Sequence, residues 1–296
     1  MSRLRRSLLF VPASSERFFA KAKESAADTL IFDLEDAVAP ERKADAREIM
    51  KAVLQDSDFQ RFERTVRING LDTPYFLDDV LAMVEAGVDG LVVPKTNSAE
   101  NIQFVDQLVS LAEQRAGRNP GAVVLIPLFE QPEAIGNAFA IATATPRIAA
   151  IAFGHGDFSL SMGIKAAPST AGVVLQARCQ VVMAAKAAGV MPIDNVYLDI
   201  KDIDGLNTET QQGKGLGYEG KACIHPGQVE PVNAVYTPTS EEVKYARELV
   251  AAFERAVAEG RGAVTFRGRM IDGPIADIEK IVLERARKAG IDAYEN

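Results

Sequence analysis

The chain has 296 residues, 47% of them hydrophobic and 25% charged, an ordinary globular composition with length enough for a well-buried core. Lysine and arginine number 33 against 41 acids, a formal net charge of −8, and there is no basic run, which argues against nucleic acid or an anionic membrane surface as a partner. Cys179 and Cys223 form neither a CxxC pair nor a zinc spacing, so no disulfide framework is expected and both read as free thiols in a reducing cytoplasm.

The opening MSRLRRSLLFVP joins a basic start to an apolar run that stops at Pro12, shorter than the roughly 7–15 residues of a signal core. No stretch approaches the ~20 apolar residues of a membrane span. A cytoplasmic protein is expected. From there, short apolar runs alternate with helical stretches. Strands are expected at 7–11, 29–34, 65–68, 90–93, 122–128, 148–153, 190–193 and 221–224. Helices are expected between them, at 40–54, 74–86, 98–115, 132–143 and 170–188. Pro40, Pro74 and Pro132 each fall in a first helical turn, where proline is tolerated. Continuous apolar runs such as VVLIPLF imply strands buried on both faces, hence a parallel sheet covered by helices.

Eight strands alternating with helices predict an α/β fold, a (β/α)₈ TIM barrel, over residues 1–235. No GxGxxG follows the first strand, which argues against a Rossmann domain. GKGLGYEGK lacks the phosphate-loop spacing and reads as loop. Residues 236–296 add a helix at 240–259, a glycine-bearing loop at 260–273 and a last helix at 275–289. This C-terminal helical extension exceeds a minimal barrel and is expected to be an arm that packs on a neighbouring subunit.

In such a barrel the chemistry sits where strands end. The polar residues ending the runs are Asp33, Glu35 and Asp36; Arg67 and Asn69; Lys95; Glu130; Asp157; Asp194 and Asn195; and His225. Together they describe an acidic pocket holding one arginine and one lysine. Glu130 and Asp157 follow consecutive strands, which lie about 4.8 Å apart in a sheet, so the two carboxylates can share one hard cation. Helix capping by Glu130 and a loop turn at Asp157 would explain the same positions equally well. Arg67 can grip a carboxylate or stabilise an oxyanion, or form a salt bridge to Glu35 or Asp36. Two separated histidines do not suggest a histidine metal site, and no GxSxG elbow or cysteine–histidine signature is present.

RSLLFVPASSERFFAKA, LIFDLEDAVAPERKADAR, VRING, GLVVPK, IPLFEQPEAI, GHGDFS and GKACIHPGQV, in this order, strongly resemble the citrate lyase β-subunit-like group of the HpcH/HpaI aldolase superfamily, over about residues 3–290. The resemblance implies Mg²⁺ held by Glu130 and Asp157, and Arg67 as the substrate-gripping arginine. It places Asp36, with Glu35 beside it, near the metal through water. It implies a coenzyme A pocket drawing on Phe10, Lys21 and Arg17; Lys95, by its place after LVVP alone, is expected to pair with an acid or to assist substrate. Related malyl-CoA lyases use an aspartate from a neighbouring subunit's arm as general acid/base, and the segment GRMIDGP makes that residue Asp272. A trimer or a dimer of trimers is implied by the same likeness. Two departures stand out: His155 within GHGD, and Ser15 where relatives place an arginine.

What the resemblance implies for function is a Mg²⁺-dependent acyl-CoA lyase. It would split a 3-hydroxyacyl-CoA such as malyl-CoA or citramalyl-CoA into a 2-oxo acid and acetyl-CoA. A citrate lyase β subunit acting on a citryl–carrier-protein thioester is the first alternative, with a thioester hydrolase as a further variant. A catalytically silent acyl-CoA-binding barrel is the alternative from another class, disfavoured by the presence of Glu130, Asp157 and Arg67 together.

Overall fold

A sheet whose strands all run parallel needs a helical crossover between each pair, and closure into a barrel removes its edges. The computed structural model, which describes residues 3–165 and 169–291, has this form. Its strands are β1 (Ser7–Pro12), β2 (Thr29–Asp33), β3 (Glu63–Arg67), β4 (Gly90–Val93), β5 (Val124–Phe129), β6 (Ala150–Phe153), β7 (Met191–Asp194) and β8 (Gly220–Cys223). They pair in sequence order and β1 closes on β8. The helices outside them are α1 (Glu16–Glu24), α2 (Lys43–Gln55), α3 (Phe76–Glu85), α4 (Ala99–Arg115), α5 (Pro132–Gly136), α6 (Ala138–Ala142), α7 (His155–Ser161), α8 (Gly172–Ala188) and α9 (Ile203–Leu216). A further helix, α10 (Val229–Tyr236), follows β8.

Leu8, Ile31, Val92, Ile126, Leu128, Ala150, Ala152 and Ile193 form one buried cluster contributed by six strands, with Phe10 and Met191 packed against it. Outside β2, Phe32 meets Phe19 and Phe59 edge-on, with ring centroids 5.9 and 5.5 Å apart, the geometry aromatic quadrupoles favour.

The chain forms two compact units, residues 5–233 and residues 234–291 with residues 3 and 4. The second contains α11 (Ser240–Ala258), a hairpin of β9 (Val264–Phe266) and β10 (Arg269–Ile271), and α12 (Gly273–Lys288). Thr239 and Glu242 form a capping box at the start of α11, satisfying otherwise orphaned amides. Val243, Ala246, Val250, Leu283 and Ala286 form the seam between α11 and α12.

Several sequence expectations need correction. Pro40 opens a 3₁₀ turn, and the helix proper begins at Lys43. Helix α3 starts at Phe76 rather than Pro74. The stretch 132–143 breaks into two short helices at Asn137. GKGLGYEGK is not loop: Gly213–Leu216 finish α9, Gly217 caps it at φ 106°, and Gly220 and Lys221 begin β8. The loop 260–273 contains the β9–β10 hairpin. Among the described residues, no helix is long and apolar enough to cross a membrane.

Candidate active site

The register of the barrel places Asp33 and Arg67, the last residues of β2 and β3, side by side. Their side chains form a two-pronged pair: Arg67 Nε donates to Asp33 Oδ1 at 2.8 Å and its Nη2 to Oδ2 at 2.6 Å. Asp33 also accepts from the backbone N–H of Glu35 at 2.8 Å, which turns the chain after β2. Glu35 Oε2 then lies 3.0 Å from Arg67 Nη1, while the mostly exposed Asp36 is 3.5 Å away. The guanidinium sits 5.2 Å from the centroid of the Phe10 ring, a cation–π distance. The sequence-level salt bridge from Arg67 therefore exists, with Asp33 as its principal partner.

Lys95, just past β4, adopts a left-handed backbone with φ 48°, uncommon for a residue with a side chain. In that conformation its N–H donates to Glu130 Oε1 at 2.7 Å and its Nζ to Glu35 Oε1 at 2.8 Å. One residue thus ties carboxylates from two strand ends. Glu130 follows β5, and Phe129 pairs with Phe153 in β6, so Gly154 lies beside Glu130. A Cβ on Gly154 would stand 2.6 Å from Glu130 Cβ and 2.9 Å from its Oε2. Only glycine lets the carboxylate approach this closely.

Asp157 sits in the first turn of α7, three residues beyond Gly154. A cavity of about 160 Å³ at the mouth of the barrel is lined by Phe10, Arg67, Glu130, His155, Asp157 and Val196, among others. Burial pushes the Glu130 carboxyl up to about 8, and the neighbouring charges of Glu35 and Asp157 add to this. Burial also raises Glu35, against the pull of Arg67 and Lys95. The hydrogen bond to Glu35, more than its charge, holds the Lys95 ammonium above its ordinary value. Arg67 loses by burial, but Asp33 chiefly, with Glu35 and Asp36, leaves it raised.

Asp33, Glu35, Asp36, Glu130 and Asp157 outnumber the cations beside them, Arg67, Lys95 and the buried Lys43, and Glu130 is 1% exposed. A hard divalent cation between Glu130 and Asp157 fits such a donor set. Among the described residues no group of three or more His, Cys, Asp and Glu side chains forms a closed metal cage. Two carboxylates suffice for an ion whose remaining ligands are water and substrate.

The remaining predicted residues distribute as follows. Phe10 and Lys21 line a groove of about 200 Å³ with Phe18, Ile224 and His225. Exposed Arg17 stacks over the Phe18 ring at 4.6 Å, at the same groove. Ser15 is the N-cap residue of α1. Asp272 belongs to the second unit, where it caps α12 by accepting from the Ile275 N–H at 3.3 Å. Asp194 is fully buried and pairs with Arg178 at 2.7 Å, a structural contact.

Asp33 is the residue that sequence reasoning passed over as one strand-end acid among several. The readable signal was its place: it ends β2 opposite Arg67, two residues before Glu35.

The model of the family described as HpcH/HpaI aldolase/citrate lyase matches residues 6–226. The citrate lyase subunit beta of Escherichia coli strain K12 is 37% identical over 290 residues, covering 98% of this chain and 96% of that protein. The L-malyl-CoA/beta-methylmalyl-CoA lyase of Rhodobacter capsulatus is 35% identical over 315 residues, covering 98% and 97%. Among solved structures, the protein CitE from Mycobacterium tuberculosis in complex with magnesium, acetoacetate and coenzyme A matches with a TM-score of 0.77 and 30% identity, covering 96% of this chain and 98% of that one.

Proposed function

The chain belongs to the HpcH/HpaI aldolase/citrate lyase family, and we propose that it is a Mg²⁺-dependent lyase acting on the CoA thioester of a 3-hydroxy acid such as malyl-CoA or citramalyl-CoA. The observation that carries this reading is the buried Glu130 carboxylate at the barrel mouth, sharing one cavity with Asp157 and Arg67. The magnesium-bound relative from Mycobacterium tuberculosis supports it.

Glu130 and Asp157 would hold the ion, and Asp36 would reach it through water. When bound, Mg²⁺ supplies Lewis-acid stabilisation of charge on the oxygens of the 2-oxo acid half. In cleavage, the bond between the α- and β-carbons of the thioester breaks. The hydroxyl proton passes to solvent, which returns one to the Asp272 carboxyl; the oxygen becomes the 2-oxo group, and the bonding electrons pass to the thioester as an enolate. Arg67 faces the carboxylate and oxyanion with a guanidinium fixed by Asp33 and Glu35, so little reorganisation is needed as charge develops. Lys95 keeps Glu35 and Glu130 in position. Asp272, supplied by a neighbouring copy in a homo-oligomer, would protonate the enolate carbon to give acetyl-CoA. Phe10, Lys21 and Arg17 would receive the coenzyme A portion in the groove beside β1.

The test is acetyl-CoA release from malyl-, citramalyl- and methylmalyl-CoA, with Mg²⁺ and with EDTA. Metal-dependent cleavage that disappears in Glu130→Ala and Asp157→Ala is the expected result. No turnover of any CoA ester by the folded, Mg²⁺-loaded protein would refute it. A second reading, a citrate lyase β subunit acting on a carrier-bound citryl thioester, draws on the likeness to the Escherichia coli subunit. Citryl–carrier cleavage without CoA-ester turnover would select it.

A further inference from the structure

The barrel-mouth cavity is bounded on one side by His155 and Val196. The same two side chains line a second and larger cleft, of about 450 Å³, walled by segments that follow β6 and β7. The two spaces are neighbours across this pair. His155 opens α7 two residues before Asp157, and Val196 follows β7 by two residues.

The chemistry of the cleft wall is one-sided. Among the described residues neither lysine nor arginine lines it, so these offer no cation to a carboxylate or a phosphate. Four of its polar side chains are already engaged, with each other, with backbone or with side chains behind the wall. Glu209 accepts from Lys221 Nζ at 2.7 Å and from the Ser169 hydroxyl. The Tyr197 hydroxyl donates to Asp202 at 2.6 Å, and Thr208 Oγ1 donates to the Asp204 carbonyl at 2.9 Å. What remains toward the space is the hydrocarbon of Val196, Leu198, Tyr197 and Thr208 together with the exposed Asp199 carboxylate, which repels an anion, and Leu198 is 59% exposed. A wall of this kind gains by covering apolar surface and loses by receiving charge.

We propose that this cleft receives the substituent carried by the 2-oxo carbon, and that this substituent is an uncharged aliphatic group. The inference rests on the lyase reading, in which Glu130 and Asp157 fix the carboxylate and oxo oxygen of the 2-oxo acid. His155 and Val196 line the same cavity as Glu130 and Asp157, so a substituent on that carbon can extend past them into the cleft, while the thioester approaches from the β1 groove that Phe10 also lines. The preferred 2-oxo acid is therefore a monocarboxylate longer than glyoxylate. Oxaloacetate, whose second carboxylate would face the cleft, is disfavoured.

The experiment is condensation of acetyl-CoA with glyoxylate, pyruvate, 2-oxobutanoate, 2-oxopentanoate and oxaloacetate, in the presence of Mg²⁺. In each case a bond forms between the acetyl methyl carbon and the 2-oxo carbon, and the methyl proton is balanced by one gained at the new hydroxyl. Wild-type kcat/KM should rise along the unbranched series by up to about fourfold for each buried methylene, with oxaloacetate below pyruvate. Thr208→Trp, at an exposed position of α9 that lines the cleft, should lower the 2-oxopentanoate-to-pyruvate ratio at least tenfold. Leu198→Asp should lower the same ratio.

A flat or falling series in the wild type, or ratios unchanged in both variants, overturns the proposal while pyruvate turnover leaves the lyase reading standing. Gains along acetyl-, propionyl- and butyryl-CoA at fixed pyruvate, without gains along the 2-oxo acids, would assign the cleft to the acyl chain and overturn it as well. No condensation with any 2-oxo acid removes the lyase reading and this inference together.

Discussion

Replacing Gly154 by alanine should displace Glu130, and the structure fixes the size of the effect. The added methyl would stand 2.6 Å from Glu130 Cβ, well inside van der Waals contact. Rotating the glutamate cannot relieve this, because a Cβ is placed by its own backbone. The ends of β5 and β6 must therefore separate, and the Glu130 carboxylate, held on its far side by the 2.7 Å hydrogen bond from Lys95, must shift against that contact. The Gly154 backbone itself, at φ −101° and ψ 91°, is open to alanine, so the whole penalty is steric. Overpacking of this kind costs about 1–3 kcal/mol. For a domain of this size, that corresponds to a fall in Tm of roughly 2–10 °C. Calorimetry with and without Mg²⁺ should show the lower Tm and a diminished stabilisation by the ion. Gly156→Ala is the control for stability, since nothing lies within 4 Å of its added methyl. A Gly154→Ala protein with wild-type Tm and an undiminished Mg²⁺ response would refute the reasoning.

Three further outcomes are expected. Glu130 has a folded-state carboxyl raised to about 8 from 4.5. Its contribution to the stability of the metal-free protein is therefore complete below 4.5 and declines as pH rises to about 8, by at most about 1.4 kcal/mol per unit. Glu130→Gln should flatten denaturant-measured stability over that window, and an unchanged pH slope would count against it. Arg67→Lys should keep a charge beside Asp33 but lose the two-pronged geometry, so CoA-ester cleavage should fall by more than tenfold; near-wild-type turnover would contradict this. Cys223 is fully buried and its thiol is pushed up to about 12 by that burial, whereas Cys179 is half-buried. Ellman's reagent should therefore modify Cys179 first, and Cys223 only on unfolding; equal rates in the native protein would contradict the burial.

The barrel was legible because most strands are runs of apolar residues too short for a helix with polar residues soon after, β3 and β8 being the exceptions. Glu130 could be picked out for the same reason, as the first polar residue after such a run, whereas Asp157 stands two residues behind His155 and Arg67 closes a polar strand. The contacts that give these residues their properties were not legible. Nothing in GLVVPK announces that Lys95 takes a left-handed backbone, because that conformation follows from where Glu130 and Glu35 lie in space. Arg178 sits within an apolar-looking helix, and its burial depends on Asp194, 16 residues away. The hairpin at the end escaped because its turn is Arg267-Gly268, at φ 48° and 78°, without the asparagine or aspartate that usually marks such turns.

The core between α8, α9, β7 and β8 holds four ions. Arg178 grips Asp194 at 3.0 and 2.7 Å, and Lys221 reaches Glu209 at 2.7 Å and Asp194 at 3.5 Å. Removing one member of such a group strands its partner in a low-dielectric interior, at a cost of about 3–5 kcal/mol, a large part of a typical domain's stability. Gly213, in α9, abuts the Asp194 carboxylate, so even the helix facing the cluster has little freedom to vary. Drift at these positions is therefore confined to paired replacements, each single step passing through a poorly folding intermediate. A mutant library built on this scaffold should treat Arg178, Asp194, Glu209, Gly213 and Lys221 as one unit of inheritance and vary the barrel-mouth loops around it.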